Sequence, residues 1–201
     1  MTINEKFDEI VLATTNRGKL HELRELLVGC SVRVRCLVEF GEIEDVKEVG
    51  STFAENARQK AMHYSKILNC VVLADDSGLQ VDALDGAPGI YSARFAGVEG
   101  ANRDEANNQK LLRLLAEVPA GKRTARFCCC LCLARAGEVL VEVEGFVEGV
   151  IAEEGRGENG FGYDPIFYLP EKGKTIAQLP YEEKNAISHR GRALKKLVSA
   201  M

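Results

Sequence analysis

The strongest constraint on the fold of this chain is a change of period near its start. The apolar run from Ile10 to Ala13 stops at the polar knot Thr14-Thr15-Asn16-Arg17-Gly18-Lys19, and Leu20, Leu23, Leu26 and Leu27 then recur at helical spacing. Four consecutive apolar residues bounded by a turn suit a buried strand, and the leucines place one apolar stripe on a helix from Lys19 to Val28. Strand, turn and helix in immediate succession is the grammar of a nucleotide site, because the helix start presents unpaired N–H groups and a positive dipole end. It is not a Walker loop. That loop reads G-x-x-x-x-G-K-[ST], whereas Ala13 stands at the first glycine and Leu20 follows Lys19 where a hydroxyl is required.

Further along, the stretch Ser31 to Phe40 alternates as a second strand, and an acidic loop runs from Gly41 to Gly50. Thr52 and Glu55 form a capping-box pair that opens a helix to about Leu68. A third apolar run, from Cys70 to Ala74, is expected to end abruptly in Asp75, Asp76 and a glycine turn, with a long irregular segment behind it. Asn102 and Glu105 offer a second capping pair, ahead of Leu111, Leu112, Leu114 and Leu115. Two strand-like runs between Thr124 and Ile151 meet at Ala136-Gly137 and predict a hairpin. The remainder from Tyr181 to Met201 is helical in composition, with Gly191 marking a bend or close packing. The order of elements is that of an α/β protein.

With 201 residues and 46% hydrophobic content, residues 1–201 suffice for one domain with a sizeable core. The formal charge of −4 is spread along the chain, which argues against nucleic acid or an anionic membrane as partner. The first ten residues lack an apolar signal-like region, and the longest apolar run, Phe127 to Ala134, is far short of the ~18 residues that a membrane span needs. Seven cysteines, with Cys128, Cys129 and Cys130 consecutive, suit a reducing compartment. A soluble, cytoplasmic protein is expected. Cys129 and Cys132 formally make a C-x-x-C, but within an apolar run they are read as core strand residues.

In open α/β sheets ligands bind beyond the carboxyl ends of strands. At the first tip, the amides near Thr15 to Gly18 and the Lys19 ammonium offer an anion seat; at the third, Asp75 and Asp76 offer hard oxygens. Together they suit a di- or triphosphate bridged by Mg²⁺, although each alone is more often a plain cap or turn. Phe161, Gly162, Tyr163 and Asp164 lie in a glycine-rich stretch whose aromatics suit a planar base, or equally a turn before an edge strand. Lys184, His189 and Arg190 lie among helical residues. Hydrogen-bond donors there accept a 6-oxo purine and leave a 6-amino group facing donors, which is costly when buried.

With "LATTNRGKLHEL", "TFAENARQKA", "LADDSGLQVDALDGAPGIYSARFAG", "GFGYDPIF" and "EEKNAISHRGRAL" in this order, the chain resembles the inosine triphosphate pyrophosphatase family, also called Ham1-like, nearly from end to end. The resemblance implies an elongated, two-lobed α/β fold with a mixed, twisted central sheet flanked by helices and an active site in the cleft. It also implies hydrolysis of ITP, dITP and XTP to the monophosphate and pyrophosphate with Mg²⁺, by a homodimer that takes a small nucleotide as its substrate. Matched motif by motif, Thr14, Thr15, Asn16, Arg17, Gly18 and Lys19 would hold phosphates, with Lys60 facing them. Asp76 would be the catalytic acid-base and a metal ligand, with Asp75 in support and Ser77 on the substrate. Phe161, Gly162, Tyr163, Asp164, Lys184, His189 and Arg190 would enclose the base. A second metal carboxylate is expected in the acidic loop, with Glu48 the best fit and Glu44 the alternative. Rival readings are a pyrophosphatase for modified pyrimidine or ordinary nucleotides, as in Maf-like relatives, and a protein that binds nucleotide without hydrolysis.

Overall fold

A computed structural model describes residues 7–28, 30 and 32–200. Seven strands, β1 (Glu9–Ala13), β2 (Arg33–Cys36), β3 (Val71–Val81), β4 (Thr124–Arg135), β5 (Glu138–Ile151), β6 (Phe167–Leu169) and β7 (Lys174–Thr175), form one sheet in the order β2-β1-β3-β4-β5-β6-β7. Among the described residues, five α-helices accompany them: α1 (Arg17–Leu27), α2 (Phe53–Leu68), α3 (Arg103–Leu114), α4 (Tyr181–Ile187) and α5 (His189–Ser199). β1 pairs in parallel with β2 and β3, while β6 pairs antiparallel with β5 and β7. The parallel strands are joined through helices, as parallel crossovers require. The predicted hairpin is present: β4 and β5 are linked by Ala136 and Gly137, both at positive φ (51° and 84°), the geometry of a tight two-residue turn.

The chain forms two compact units. The first comprises the chain through Asp76, Cys129–Gly145 and the chain from His189; the second comprises Ser77–Cys128 and Phe146–Ser188. Ile10, Leu12, Leu23, Leu27, Leu73, Leu131 and Leu194 are among the core residues of the first. In the second, Leu79, Leu111, Phe127, Val147, Phe167 and Ile176 serve that purpose. Cys129 and Cys132 are both fully buried with free thiols, as their place in an apolar strand predicts.

Four local expectations are corrected. β3 does not end at the carboxylates but continues through them to Val81, so Asp75 and Asp76 are strand residues. Gly78 is accordingly no turn: a Cβ there would lie 2.3 Å from Ser92 Oγ and 2.8 Å from the Gly89 carbonyl, so glycine permits a close approach. The second strand is shorter than its alternation suggests, and its expected first residue, Ser31, lies outside the described residues. At its other end Glu39 folds back to accept the Cys36 N–H at 2.9 Å and draws residues 37–40 into a 3-10 turn. The C-terminal helical stretch is broken at Ser188, whose ψ of 156° is extended, whereas Gly191, read as a bend or close packing, is buried inside α5; Met201 lies outside the described residues.

The two capping pairs also divide. Thr52 Oγ1 accepts the Glu55 N–H at 3.1 Å, while the Glu55 carboxylate reaches past Thr52 to the N–H and hydroxyl of Ser51. Asn102 makes no side-chain cap, and Glu105 instead accepts from Gln109 one turn on.

Candidate active site

Alternation along β3 sends its two carboxylates to different partners. Asp75 continues the row Val71 and Leu73, which packs into the core of the first unit, whereas Asp76 continues the row Val72 and Ala74. The row carrying Asp75 meets α1 and α5. Lys19, from α1, places its ammonium 2.9 Å from Asp75 Oδ1, and Arg190, from α5, donates Nε to Oδ2 at 2.6 Å. Arg190 also donates to Glu22 of α1. Arg190 and Glu22 are each 1% exposed, so this is a fully desolvated ion network. Breaking one partner from such a network typically costs about 3–5 kcal/mol, because a buried charge is left uncompensated. Burial by itself raises the Asp75 carboxyl, but Arg190 and Lys19 outweigh it and hold the group well below the usual carboxylate range. The Cys129 thiol lies 3.5 Å from Asp75 Oδ2, and burial together with that carboxylate pushes it well up, so it stays protonated.

Asp76 has a different setting. Lys60 donates to its Oδ1 at 2.9 Å and Asn56 to its Oδ2 at 3.3 Å, and both donors come from α2, four residues apart on one face. Lys60 also lies 3.1 Å from Glu48 Oε1 and donates to the Asp75 carbonyl at 3.2 Å. One ammonium is therefore shared by two carboxylates. Burial raises the Asp76 carboxyl, Lys60 and Lys19 offset this only in part, and Glu48 adds to the rise. For Lys60 burial favours the neutral amine, but Asp76 and Glu48 prevail and keep it charged. A carboxylate raised in pKa beside a fixed cation marks a candidate functional site.

The start of α1 is built by its own side chains. Asn16 is the N-cap, with Oδ1 accepting the N–H groups of Gly18 (2.9 Å) and Lys19 (3.1 Å), while Thr14 Oγ1 accepts the Asn16 N–H at 3.2 Å. The expected anion seat of backbone amides is thus already partly satisfied at Asn16 and Gly18. Thr15 and Arg17 are exposed, and Lys19 supplies the charge. Of the acidic-loop candidates, Glu48 reaches Lys60, while Glu44 offers only its backbone carbonyl to His63 at 3.1 Å. Among the described residues there is no group of three or more His, Cys, Asp or Glu that could hold a metal. Asp76 and Glu48 nevertheless converge on a single cation in Lys60, and phosphate oxygens and water ordinarily complete a Mg²⁺ shell.

In the second unit, Lys184 is 2% exposed. It donates to Asp164 Oδ2 at 2.5 Å and sits 5.0 Å above the Phe161 ring. The same Asp164 oxygen accepts the Phe161 N–H at 2.9 Å, and the Tyr163 hydroxyl donates to the Ser92 carbonyl at 2.8 Å. Ser77 is half-buried in β3 of this unit, and His189 is buried in the first.

The model of the Ham1 family matches residues 10–200. The chain belongs to the Ham1 family. It is 53% identical over 189 residues to the dITP/XTP pyrophosphatase of Listeria monocytogenes serovar 1/2a, covering 94% of this chain and 92% of that one. A dITP/XTP pyrophosphatase of Desulforamulus reducens is 52% identical over 193 residues, covering 96% and 95%. Among solved structures, the Ham1 protein of Coxiella burnetii is 45% identical with a TM-score of 0.85, covering 95% of this chain and 96% of that chain. The Staphylococcus aureus Ham1 protein is likewise 45% identical over the same shares, with a TM-score of 0.82. The mixed α/β sheet described above is therefore that of the Ham1 family.

Two residues of the first cluster escape sequence reasoning. Asn56 was legible in principle, since Phe53, Asn56, Ala57, Lys60, Ala61 and Tyr64 form one stripe in which two polar residues interrupt a buried face. Glu22 gives no such signal, because its partner Arg190 lies 168 residues away.

Proposed function

We propose that this Ham1-family chain hydrolyses non-standard purine nucleoside triphosphates, ITP, dITP and XTP, to the monophosphate and pyrophosphate, and so clears deaminated purines from the nucleotide pool. The observation that carries the proposal is the shared ammonium of Lys60 between Asp76 and Glu48, in a chain about half identical to proteins named dITP/XTP pyrophosphatase. Asp76 takes the proton of the water that attacks the α-phosphorus, and its raised affinity for protons matches that task. Lys19 and Lys60 stabilise the negative charge that develops as pyrophosphate leaves, with Asn16 and the hydroxyls of Thr14 and Thr15 orienting phosphate oxygens. No covalent intermediate is needed, since positioning and fixed charge suffice for phosphoryl transfer.

Asp76 and Glu48 would hold Mg²⁺, which when bound supplies charge neutralisation of the triphosphate and polarisation of its oxygens. Phe161, Tyr163, Asp164 and Lys184 are assigned to the base, with His189 supplying a further donor. Arg190, which also donates to Asp75 and Glu22, is assigned to the base with them. We read the enzyme as a cytoplasmic homodimer whose partner is a small nucleotide, with neither nucleic acid nor membrane as target. Among the described residues no helix is long and apolar enough to cross a membrane.

The test is pyrophosphate release with Mg²⁺ from dITP, XTP, dGTP, dATP and dUTP. Faster turnover of dITP and XTP than of the other three is expected. Equal or faster turnover of dGTP removes the purine selectivity, preference for dUTP favours the pyrimidine reading, and release from none favours binding without hydrolysis.

A further inference from the structure

Gly162, in the Phe161–Asp164 stretch, is held on both sides by one helix. Its N–H donates to Asp104 Oδ2 at 2.8 Å, and its carbonyl accepts Asn108 Nδ2 at 3.0 Å. The first group belongs to the peptide joining Phe161 to Gly162, the second to the peptide joining Gly162 to Tyr163. Two planar peptides meet at the Gly162 Cα with only φ and ψ free, so a bond to each peptide restrains both angles. The φ of 62° is left-handed, and a Cβ at Gly162 would meet nothing within 4 Å, so backbone conformation rather than space favours glycine. Asp104 and Asn108 are four residues apart in the first two turns of α3 and so project from one face.

The same helix is itself tied down. Asp104 Oδ1 accepts Arg103 Nε at 3.0 Å. Asn107 accepts the Ala96 N–H at 2.7 Å and donates to the Ser92 and Ala93 carbonyls. Tyr163, next to Gly162, reaches that same Ser92 carbonyl. Either side of Gly162 stand the groups assigned to the base: Phe161 before it, and after it Asp164, which holds Lys184 and the Phe161 N–H. A rotation at Gly162 would swing Phe161 away from Asp164 and Lys184.

We propose that Asp104 and Asn108 are positioning residues for base recognition, which set the spacing of Phe161, Asp164 and Lys184 by clamping the two peptides of Gly162. They do not touch the base. The inference rests on the nucleotide pyrophosphatase function proposed above, and assigns a specificity role to the first turns of α3.

The experiment compares wild type with Asn108→Asp, Asn108→Ala, Asp104→Ala and Asp104→Asn. It measures dITP kinetics, calorimetric binding of inosine monophosphate, and inhibition by inorganic pyrophosphate, with circular dichroism as a check on folding. Asn108→Asp keeps the shape but places an acceptor against the Gly162 carbonyl, so a rise of about tenfold in both KM for dITP and Kd for inosine monophosphate is expected. Over the same series kcat and pyrophosphate inhibition should change by less than about twofold, since the residues assigned to the phosphates belong to the other unit. Asp104→Ala should behave likewise, and Asp104→Asn, which retains an acceptor oxygen, should recover near wild-type binding. Should Asn108→Asp fail to fold, the two alanine variants carry the same comparison. Unchanged monophosphate affinity in the Ala variants, or a parallel loss of pyrophosphate inhibition, overturns the positioning role. A wild type that neither cleaves dITP nor binds inosine monophosphate overturns the function itself, and this inference with it.

Discussion

Asp75 and Asp76 are adjacent in the chain, yet the period of two in β3 gives them opposite chemistry. Asp75 is driven towards permanent ionisation by Arg190 and Lys19, whereas Asp76 keeps an elevated proton affinity because burial outweighs Lys60. Of the two, Asp76 is the one whose setting fits the proton exchange proposed above. Replacing it by Asn is expected to lower kcat by about 10²–10⁴-fold, the usual contribution of a positioned general base. In wild type the acidic limb of kcat/KM against pH should fall above the ordinary Asp range of about 3.9. Pyrophosphate-release rates across pH check both. A limb that persists unchanged in Asp76→Asn would assign the base elsewhere.

At the scale of elements, the position of α5 depends on a missing side chain in β5. A Cβ at Gly145 would lie 2.2 Å from the His189 carbonyl and 2.5 Å from the Ala193 N–H, so the helix backbone rests directly on the strand. Both contacts are backbone and cannot rotate aside. Gly145→Ala is thus expected to push α5 off β5, costing about 1–3 kcal/mol. Because α5 carries Arg190, the displacement should also loosen the grip on Asp75 and reduce turnover. Urea unfolding and dITP kinetics measure the two effects, and a variant with wild-type stability would show that the helix yields without cost. The C-terminal helical composition alone announces neither this contact nor the break at Ser188; both follow from what the helix packs on.

For the whole molecule, the buried network links stability to pH. The folded value of Asp75 is depressed, so its contribution is fully present above the unfolded value of about 3.9 and is lost as pH falls from there through the lower folded value. Asp76 has the opposite sign: its folded value is raised, so its ionised form costs stability at neutral pH and that cost disappears in acid. The urea midpoint of wild type should hold near neutrality and decline below about pH 4. Asp75→Asn should be less stable at pH 7 by about 3–5 kcal/mol, with Arg190 left underpaired, and should decline less steeply in acid. An equally steep decline in that variant would place the responsible carboxylate outside the network.

The sequence by itself determined the elements whose cause is local. Period and turn chemistry sufficed for β1 and α1, for the α2 start at Thr52, for the Ala136-Gly137 hairpin and for the burial of the cysteine run. Five ordered motifs were enough to indicate the family. What only the tertiary structure decided was the environment of each polar residue. Asp75 and Asp76 read as a pair at a strand tip, and became distinct because β3 continues and its faces meet different helices. Arg190 read as a base-facing donor, and the fold adds that it is a buried partner of Glu22 and Asp75. Asp104 and Asn108 carried no signal, since their partner is a peptide more than fifty residues away. Propensity and capping act within a few residues along the chain, whereas burial, charge pairing and proton affinity are set by neighbours that only the folded chain brings together.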